Sequence, residues 1–240
     1  MVALNKLTVH SKATEVNTVS GRIVAGYEKN PVSDDPYLAG VLGELKTGSG
    51  NLTLAVKRMK AESKLEEADA QRDEKVRSIY YLIQGYKYHP DKQISSAAVI
   101  VGKVFDNYGM DIIKESYAVE SSHIESMLKD FEKPKIQVAV NALPGLRQLI
   151  VELSTTQAEF EAASVAYEEE KSVEGELESA TKIKQQVVSI INDKLVNYLI
   201  GICLANEEKY GNFARTVAQL IDDNNSAVKK RSGKNGGTKE

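Results

Sequence analysis

Apolar side chains recur at intervals of three and four residues along most of this chain, a spacing that places them on one face of an α-helix. Such a face has to be buried against other helices, because isolated helices are marginal in water. The pattern therefore predicts an all-α fold, an elongated antiparallel bundle of about seven or eight helices with coiled-coil packing. Three windows show the spacing most clearly: Ile94, Ala97, Ala98, Val101, Val104, Phe105 and Tyr108; Leu149, Ile150, Leu153, Phe160 and Tyr167; and Phe213, Val217, Leu220, Ile221 and Val228.

Local signals predict where individual helices begin. Asp35 followed by Pro36 is typical of an N-cap with a proline in the first turn. Ser63 with Glu66 three residues later forms a capping box, which predicts a second helix start. The two signals divide the N-terminal third of the chain into separate helices.

Glycine and proline predict the breaks between helices. Gly48–Gly50 should kink or split a helix, because glycine costs about 1 kcal/mol against alanine in a helix interior. Ile136–Leu143 lies between two prolines and is either a short helix or irregular. The predicted helices are 12–29, 36–62, 64–88, 93–109, 117–132, 145–171, 175–206 and 208–229.

Composition excludes several classes of protein. Only 6% of the residues are aromatic and none is tryptophan, which disfavours a many-stranded β fold. The net charge of −3 creates no field that would attract nucleic acid or an acidic membrane. Cys203 is the single cysteine, so intramolecular disulfides and multi-cysteine metal sites are excluded.

No export or membrane signal stands out in the sequence. The N-terminus lacks an apolar run of signal-peptide length. No stretch approaches about 18 consecutive apolar residues, and the best candidate, 195–205, is too short and contains Asn197. We therefore expect a cytoplasmic protein that does not enter a membrane.

The sequence predicts one helical domain over 1–225, with possible halves at about 12–110 and 117–225. A set of residues suggests the halves, because it recurs at a constant offset. Residues 226–240 should form a disordered basic tail, since they are nearly devoid of apolar side chains. The recurring residues are Leu65, Glu66, Ala68, Val76, Ile79 and Ile83, matched by Leu177, Glu178, Ala180, Val188, Ile191 and Leu195.

The tripeptide His89-Pro90-Asp91 lies between two predicted helices, as a similar tripeptide does in J-domain co-chaperones. The likeness is limited to the tripeptide and the flanking Tyr88 and Lys92. Pro90 and Asp91 are also explained by the end of one helix and the N-cap of the next. A J-domain-like co-chaperone is therefore kept only as a remote alternative.

Titratable residues give no recognisable catalytic or metal motif. His10, His89 and His123 are scattered, and Glu120 with His123 matches a di-iron Glu-x-x-His motif only once. Cys203 lies among apolar residues and is predicted to be a buried structural thiol. We predict no catalytic, cofactor-binding or metal-binding residue and no cofactor. The clustered acids Glu66, Glu67 and Asp69, and Glu168, Glu169, Glu170 and Glu174, are interpreted as solvated faces.

Two segments carry a resemblance to a known family: Glu67-Ala68-Asp69-Ala70-Gln71-Arg72-Asp73-Glu74 and Val101-Gly102-Lys103-Val104-Phe105-Asp106-Asn107-Tyr108-Gly109. In both, the chain resembles an uncharacterised, all-helical Bacteroidetes family known as a domain of unknown function. The resemblance implies a helical fold and no activity. Arg72-Asp73 and Phe105 to Tyr108 are interpreted as packing contacts or as a shared ligand site, and packing is favoured.

Three functional hypotheses remain open. The first is a non-catalytic structural or interaction protein that presents polar faces to a protein partner or to a second copy of itself. The second is a small-ligand or metal-binding bundle lined by carboxylates and by tyrosines such as Tyr80, Tyr81, Tyr86 and Tyr88. The third is nucleic-acid contact through the tail residues Lys229, Lys230 and Arg231, the only exception to an expected absence of nucleic-acid binding.

Overall fold

The computed structural model describes residues 3–32, 34–174 and 178–235, and in these ranges the regular structure is helical without strands. The all-α helical bundle is therefore confirmed. Met110–Lys114 form a 3-10 turn, and Ile190–Val196 form a π-helical segment. The helices are α1 Ala13–Lys29, α2 Pro36–Lys87, α3 Lys92–Asp106, α4 Tyr117–Phe131, α5 Pro134–Asn141, α6 Leu146–Glu174, α7 Ala180–Ser189, α8 Asn197–Ala205 and α9 Glu207–Asn235.

Two predicted helix starts have the expected caps. Asp35 accepts a hydrogen bond from the Leu38 amide at 2.9 Å, which satisfies one free N–H of the first turn of α2. Asp91 accepts one from the Gln93 amide at 2.7 Å and so caps α3. The sequence leaves open whether 136–143 is a short helix or irregular. The stretch is helical up to Asn141, the last residue of α5.

The break predicted at Gly48–Gly50 is wrong, because α2 runs unbroken through it. A Cβ added at Gly48 would lie 3.1 Å from Val187 Cγ2 of α7. Ser49 is buried and accepts a hydrogen bond from the Ser20 hydroxyl of α1 at 2.9 Å. Small residues at these positions therefore allow close helix packing instead of breaking the helix.

The helix start predicted at Ser63 is also wrong, since Ser63 and Glu66 lie in the interior of α2. Strong helix formers such as Lys57, Met59 and Ala61 precede Ser63, and no Gly or Pro separates them from it. A capping box needs a preceding residue outside helical conformation, and this stretch offers none.

The C-terminal segment differs from its prediction as well. α9 continues to Asn235, so the part of the expected disordered tail that the structure describes, 226–235, is helical. Val228 is buried, and Arg231 forms an ion pair with Glu15 of α1. These two contacts hold the last turns of α9 in place. Residues 236–240 lie outside the described residues.

The chain forms two compact units. Unit 1 contains residues 1–60 and 170–240, and unit 2 contains residues 61–169. The division falls inside α2 and α6, so the units do not coincide with the sequence-predicted halves at 12–110 and 117–225.

The core of unit 1 uses apolar residues of α1, α2, α9 and the continuous helix Ala180–Ala205. By length and composition alone, this helix could cross a membrane: its most apolar 18-residue window has a mean hydropathy of 1.5, and 44% of that window is buried. The apolar run 195–205 that stands out in the sequence is only the last part of this helix. Because the helix supplies Val187, Ile191, Leu195 and Leu199 to the core, its apolar character is already explained by burial.

The core of unit 2 is built from one face of each of α2 to α6. Most predicted apolar positions of α3 are buried there, which confirms the three-and-four spacing. Of the recurring set, Val76, Ile79 and Ile83 lie in this core, while Val188, Ile191 and Leu195 lie in the core of unit 1. The second copy differs locally, because it enters the π-helical segment. Leu177 lies outside the described residues.

Candidate functional site

The most unusual feature of unit 2 is a completely buried arginine, Arg72, whose side chain has 0% exposure. Arginine is rarely fully buried unless it is paired, because removing a guanidinium from water is costly. α2 supplies Arg72 with Asp69 and Asp73, which lie about one turn apart on the same side of the helix. Its partners on other helices are Glu120 and Ser121 of α4 and Gln157 and Phe160 of α6.

Both terminal nitrogens of Arg72 are fully used. Nη2 donates to Glu120 Oε2 at 2.7 Å and to Asp69 Oδ1 at 2.8 Å. Nη1 donates to Ser121 Oγ at 3.0 Å and to Gln157 Oε1 at 3.2 Å. The guanidinium therefore ties α2, α4 and α6 together through charge-assisted hydrogen bonds.

An aromatic ring covers the guanidinium on one face. The Arg72 Cζ atom lies 3.7 Å from the centroid of the Phe160 ring, within the range of a cation–π interaction. Tyr117 packs edge-to-face against Phe160 with ring centroids 5.2 Å apart. The charge is therefore held between carboxylates and a hydrophobic ring that excludes water.

Three carboxylates meet in this place: oxygens of Asp69, Asp73 and Glu120 lie within 4.8 Å of one another. We call them the carboxylate cluster. Arg77 neutralises part of its charge through an ion pair with Asp73 at 2.8 Å. Glu120 Oε1 and Asp73 Oδ1 are buried without a hydrogen-bond donor. The cluster therefore has buried acceptor atoms that could take a proton or a cation.

The electrostatics of the cluster follow from this crowding. Burial raises the pKa of Glu120 to about 7, the Arg72 charge opposes the shift, and Asp73 and Asp69 add to it. Burial also raises the pKa of Asp69 above its usual value, although Arg72 opposes this shift too. Glu120 can therefore exchange a proton near neutral pH.

An open groove of about 500 Å³ adjoins the cluster, and two residues that contact Arg72, Ser121 and Phe160, help to line it. We call it the acidic groove. Among the described residues that line it, none is Lys or Arg. Its wall is formed by α4 and α6: Tyr117, Ala118, Ser121, Ser122, Glu125, Phe160, Glu161, Ser164 and Glu168.

The sequence points to part of this site. For Arg72-Asp73 it predicts a packing contact or a ligand site, and the structure places both residues with Asp69 and Glu120. The neighbouring acids Glu66 and Glu67 are not members of the carboxylate cluster. Sequence reasoning misses Glu120 as the partner of Arg72, since the two belong to different helices.

Only one residue of the single Glu-x-x-His match takes part in the carboxylate cluster. Glu120 is in the cluster, but His123, one turn further along α4, is not among the ligand atoms that meet there. His123 Nδ1 is buried without a partner, and the ring lies 6.2 Å from Tyr108. Tyr108 donates to Asp130 at 2.9 Å, and burial together with this bond raises its pKa to about 12.

The remaining motif residues have structural roles. In His89-Pro90-Asp91, the Asp91 amide donates to His89 Nδ1 at 3.1 Å and the Asp91 side chain caps α3. Cys203 is buried, as predicted, and burial raises the pKa of its thiol, which disfavours the reactive thiolate.

The four tyrosines do not form one polar lining. Tyr80 packs on Phe105 with ring centroids 5.6 Å apart, and Tyr86 donates to the Pro144 carbonyl at 2.9 Å. Tyr81 and Tyr88 are exposed, Tyr88 to 88%. A ligand site lined by these tyrosines is therefore not present among the described residues.

Comparison with protein-family models gives a match. A protein-family model described as "Family of unknown function (DUF6261)" matches residues 62–221, a range that includes every residue of the carboxylate cluster and of the acidic groove. No curated protein and no solved structure matches the chain.

Proposed function

Because the chain belongs to DUF6261, a family of unknown function, we propose its role from the structure: it is a non-catalytic interaction protein that holds a basic segment of a protein partner in the acidic groove. A cytoplasmic setting and a Bacteroidetes source belong to the proposal. The observation that carries it is the composition of the groove wall, whose described residues combine glutamates and an aromatic pair and include no Lys or Arg.

Charge supports a cationic partner. Glu125 and Glu161 are exposed on the groove wall, and Glu168 lies on it as well. Behind the wall, the three carboxylates of the cluster face the positive charges of Arg72 and of the more exposed Arg77. Acids at this site raise the pKa of Tyr117 in addition to the effect of burial, which indicates a negative potential around that hydroxyl. A negative patch favours encounter with Lys and Arg side chains.

The aromatic pair supports the same partner. Tyr117 is 42% exposed and packs edge-to-face on Phe160, and both rings help to line the groove. A Lys or Arg side chain can lay its apolar stem along such a ring and direct its charge to Glu125 or Glu161. On the same wall, the Ser121 hydroxyl accepts a hydrogen bond from Arg72 and so has a structural role.

The test is a binding titration with a labelled peptide rich in Lys and Arg, followed by fluorescence anisotropy. The double variant Glu125→Gln/Glu161→Gln should weaken binding about tenfold, and added salt should weaken it further. The matched control is Glu132→Gln/Glu159→Gln, which removes two exposed glutamates of the same two helical regions outside the groove. Equal loss in both double variants, or equal binding of an acidic peptide, would contradict the proposal.

A second candidate, cation binding, is favoured by the carboxylate cluster. Oxygens of three carboxylates lie within 4.8 Å of one another, and two of the cluster's oxygens are buried without a donor. Hard divalent cations such as Mg²⁺, Mn²⁺ and Ca²⁺ prefer oxygen ligands. Against this candidate stands Arg72, which already forms ion pairs with two of the three carboxylates, Asp69 and Glu120. A rise in melting temperature with one of these cations that Asp73→Asn abolishes would support it.

The J-domain and nucleic-acid hypotheses gain no support. Asp91 in His89-Pro90-Asp91 caps a helix, which leaves no observation that favours a J-domain-like co-chaperone. Arg231 forms an ion pair with Glu15, so one of the three basic side chains of the tail is already paired. Nucleic-acid contact through Lys229, Lys230 and Arg231 stays a prediction.

A further inference from the structure

A cavity of about 450 Å³ lies in unit 1, between the N-terminal segment that precedes α1, the helix α7 and the π-helical segment. We call it the Lys184 cleft. Its volume falls within the range of small-molecule sites in proteins. Three parts of the chain therefore meet around a space that a small ligand could fill. The lining residues that matter below are Lys6, Val9, Lys184, Gln185, Ser189 and Asp193.

The N-terminal wall of the cleft is fixed by main-chain hydrogen bonds. Asn192 accepts a bond from the Leu7 N–H at 2.7 Å and donates one to the Leu7 carbonyl at 2.9 Å. On the other edge of the same segment, Asn225 of α9 accepts from the Thr8 N–H at 2.9 Å and donates to the Lys6 carbonyl at 2.8 Å. The wall is therefore already in place before a ligand binds, which lowers the cost of binding.

Lys184 of α7 brings a positive charge to the cleft. Its Nζ atom donates to the Val9 carbonyl at 3.3 Å and to the Ser11 carbonyl at 3.2 Å, and the residue is half-buried. These two partners are neutral, and no carboxylate of the described residues lies at ion-pair distance from this ammonium group. The group has one more N–H donor than the two bonds use, so it is oriented and can still bind an anion.

The charges that line the cleft do not balance. Among its described lining residues, the charged ones are the two lysines Lys6 and Lys184 and a single acid, Asp193. Asp193 pairs with Lys6 at 3.2 Å and accepts a hydrogen bond from the Ser189 hydroxyl at 3.0 Å. Lys6 therefore has its counter-ion in the cleft, whereas Lys184 has none. One uncompensated positive charge matches a ligand with one negative charge.

An apolar surface lies next to this charge. The Val9 side chain is 64% exposed, although the carbonyl of the same residue is bonded to Lys184. The methylene stems of Lys6 and Lys184 add further apolar surface. A ligand that covers these groups removes apolar area from water, which favours binding. The cleft therefore suits a ligand whose negative charge is attached to a short apolar chain.

We propose that the Lys184 cleft binds a small carboxylic acid with a short apolar chain. The carboxylate accepts a charge-assisted hydrogen bond from Lys184 Nζ, and the chain covers Val9. π-Helical turns are rare and occur frequently at functional sites, and the one here supplies Asp193, the counter-ion of Lys6. The cleft belongs to unit 1, whereas the acidic groove belongs to unit 2, so the two proposals stand or fall separately.

The test is isothermal titration calorimetry of the full chain with sodium hexanoate. Hexanoate should bind saturably at one site with a dissociation constant of about 1 mM. Two probes separate the parts of the site: 1-hexanol has the chain without the charge, and inorganic phosphate has charge without the chain. Each should bind at least about tenfold more weakly than hexanoate. Absence of saturable hexanoate binding, or equal binding of either probe, would overturn the proposal.

Lys184→Met keeps most of the apolar stem but removes the charge, so it should weaken hexanoate binding about tenfold. The matched control is Lys182→Met, which removes a positive charge from the same helix. Lys182 forms an ion pair with Glu178 and is not among the described residues that line the cleft. This control should bind hexanoate as the wild type does, and an equal loss in both variants would contradict a site at Lys184.

A second variant is needed because Lys184 also bonds to Val9 and Ser11, so its loss could disturb the N-terminal wall. Gln185→Glu places a negative charge on the cleft lining at an exposed position and leaves those two bonds intact. It should also weaken hexanoate binding about tenfold, with an unchanged circular dichroism spectrum. Hexanoate binding that stays at the wild-type level in Gln185→Glu would overturn the proposal.

Discussion

The two units bury polar groups in different ways. In unit 2, Arg72 is surrounded by the carboxylate cluster, and oxygens of Glu120 and Asp73 remain without a donor. In unit 1, both functional atoms of the buried Asn192 are satisfied by the main chain of Leu7. A neutral side-chain amide can satisfy both the N–H and the C=O of one main-chain residue. The three carboxylates, in contrast, carry more negative charge than Arg72 and Arg77 can neutralise.

This difference has energetic consequences. A buried ion pair is costly to desolvate, and removal of one partner leaves an unpaired charge in a region of low dielectric. A buried amide that loses its partner leaves only dipoles unpaired, which costs less. We therefore expect the Arg72 site of unit 2 to respond strongly to mutation and to pH, and the Asn192–Leu7 contact of unit 1 to respond more weakly to mutation and hardly to pH.

The largest effect is expected for Arg72→Met, which keeps an apolar side chain under Phe160 but removes the charge. Glu120 and Asp69 would then lose their charge-assisted donor, and the free energy of unfolding should fall by about 3–5 kcal/mol at pH 8. Urea denaturation monitored by circular dichroism measures this loss.

The control for Arg72→Met is Arg77→Met. Arg77 pairs with Asp73 but is 45% exposed, so its loss should cost about 1 kcal/mol or less. Similar losses for the two variants would contradict the view that burial makes Arg72 special.

The second effect is pH dependence, and its sign follows from Glu120. Its pKa is raised from 4.5 to about 7 in the folded protein, so the folded state holds this proton over a range in which the unfolded state has lost it. The stability from this group is therefore complete below about pH 4.5 and is lost as pH rises to about 7. The loss amounts to about 3 kcal/mol at 1.36 kcal/mol per pKa unit.

The measurement compares unfolding of the wild type and of Glu120→Gln between pH 4.5 and 8. Glutamine is a permanently neutral analogue of the protonated acid and keeps an oxygen acceptor for Arg72. Its stability should lack this downward slope, so that it exceeds the wild type most at pH 8. Parallel pH curves for the two proteins would show that Glu120 does not carry the proton.

Sequence reasoning predicts local features well and tertiary pairing poorly. Spacing alone places Phe105 and Val217 in cores, and Asp35 and Asp91 are recognisable as caps, because these features depend on neighbours in the chain. The role of Gly48 depends on Val187 of α7, a contact that local helix propensity does not contain. For the same reason the sequence suggests a break where α2 continues.

The candidate sites show the same limit. Arg72 stands out in the sequence next to Asp73, but its partner Glu120 is noticeable only as half of a metal motif. Asn192 belongs to no recognisable motif, because an asparagine inside a helical pattern is ordinary and the π-helical segment cannot be recognised from spacing. Its position beside Ile191, on a face that continues to Leu195, is the only hint that its amide is buried.

The smallest effect is expected for Asn192, the buried neutral amide of unit 1. Asn192→Ala leaves the buried N–H and C=O of Leu7 without a side-chain partner, so unfolding should become easier by about 1–3 kcal/mol. The loss should be the same at pH 5 and pH 8, because neither Asn192 nor the Leu7 main chain titrates. Hydrogen exchange at the Leu7 amide should accelerate by a factor that corresponds to the local loss.

Asn225→Ala is the matched variant, since it removes an equivalent pair of bonds from the more exposed edge of the same segment. Water can replace part of those bonds, so we expect a loss of about 1 kcal/mol or less and faster exchange at Thr8. If the decrease in the free energy of unfolding caused by Asn192→Ala were itself different at pH 5 and pH 8, the two units would be energetically coupled. It would also mean that the contact between Asn192 and the Leu7 main chain depends on the charge of Glu120.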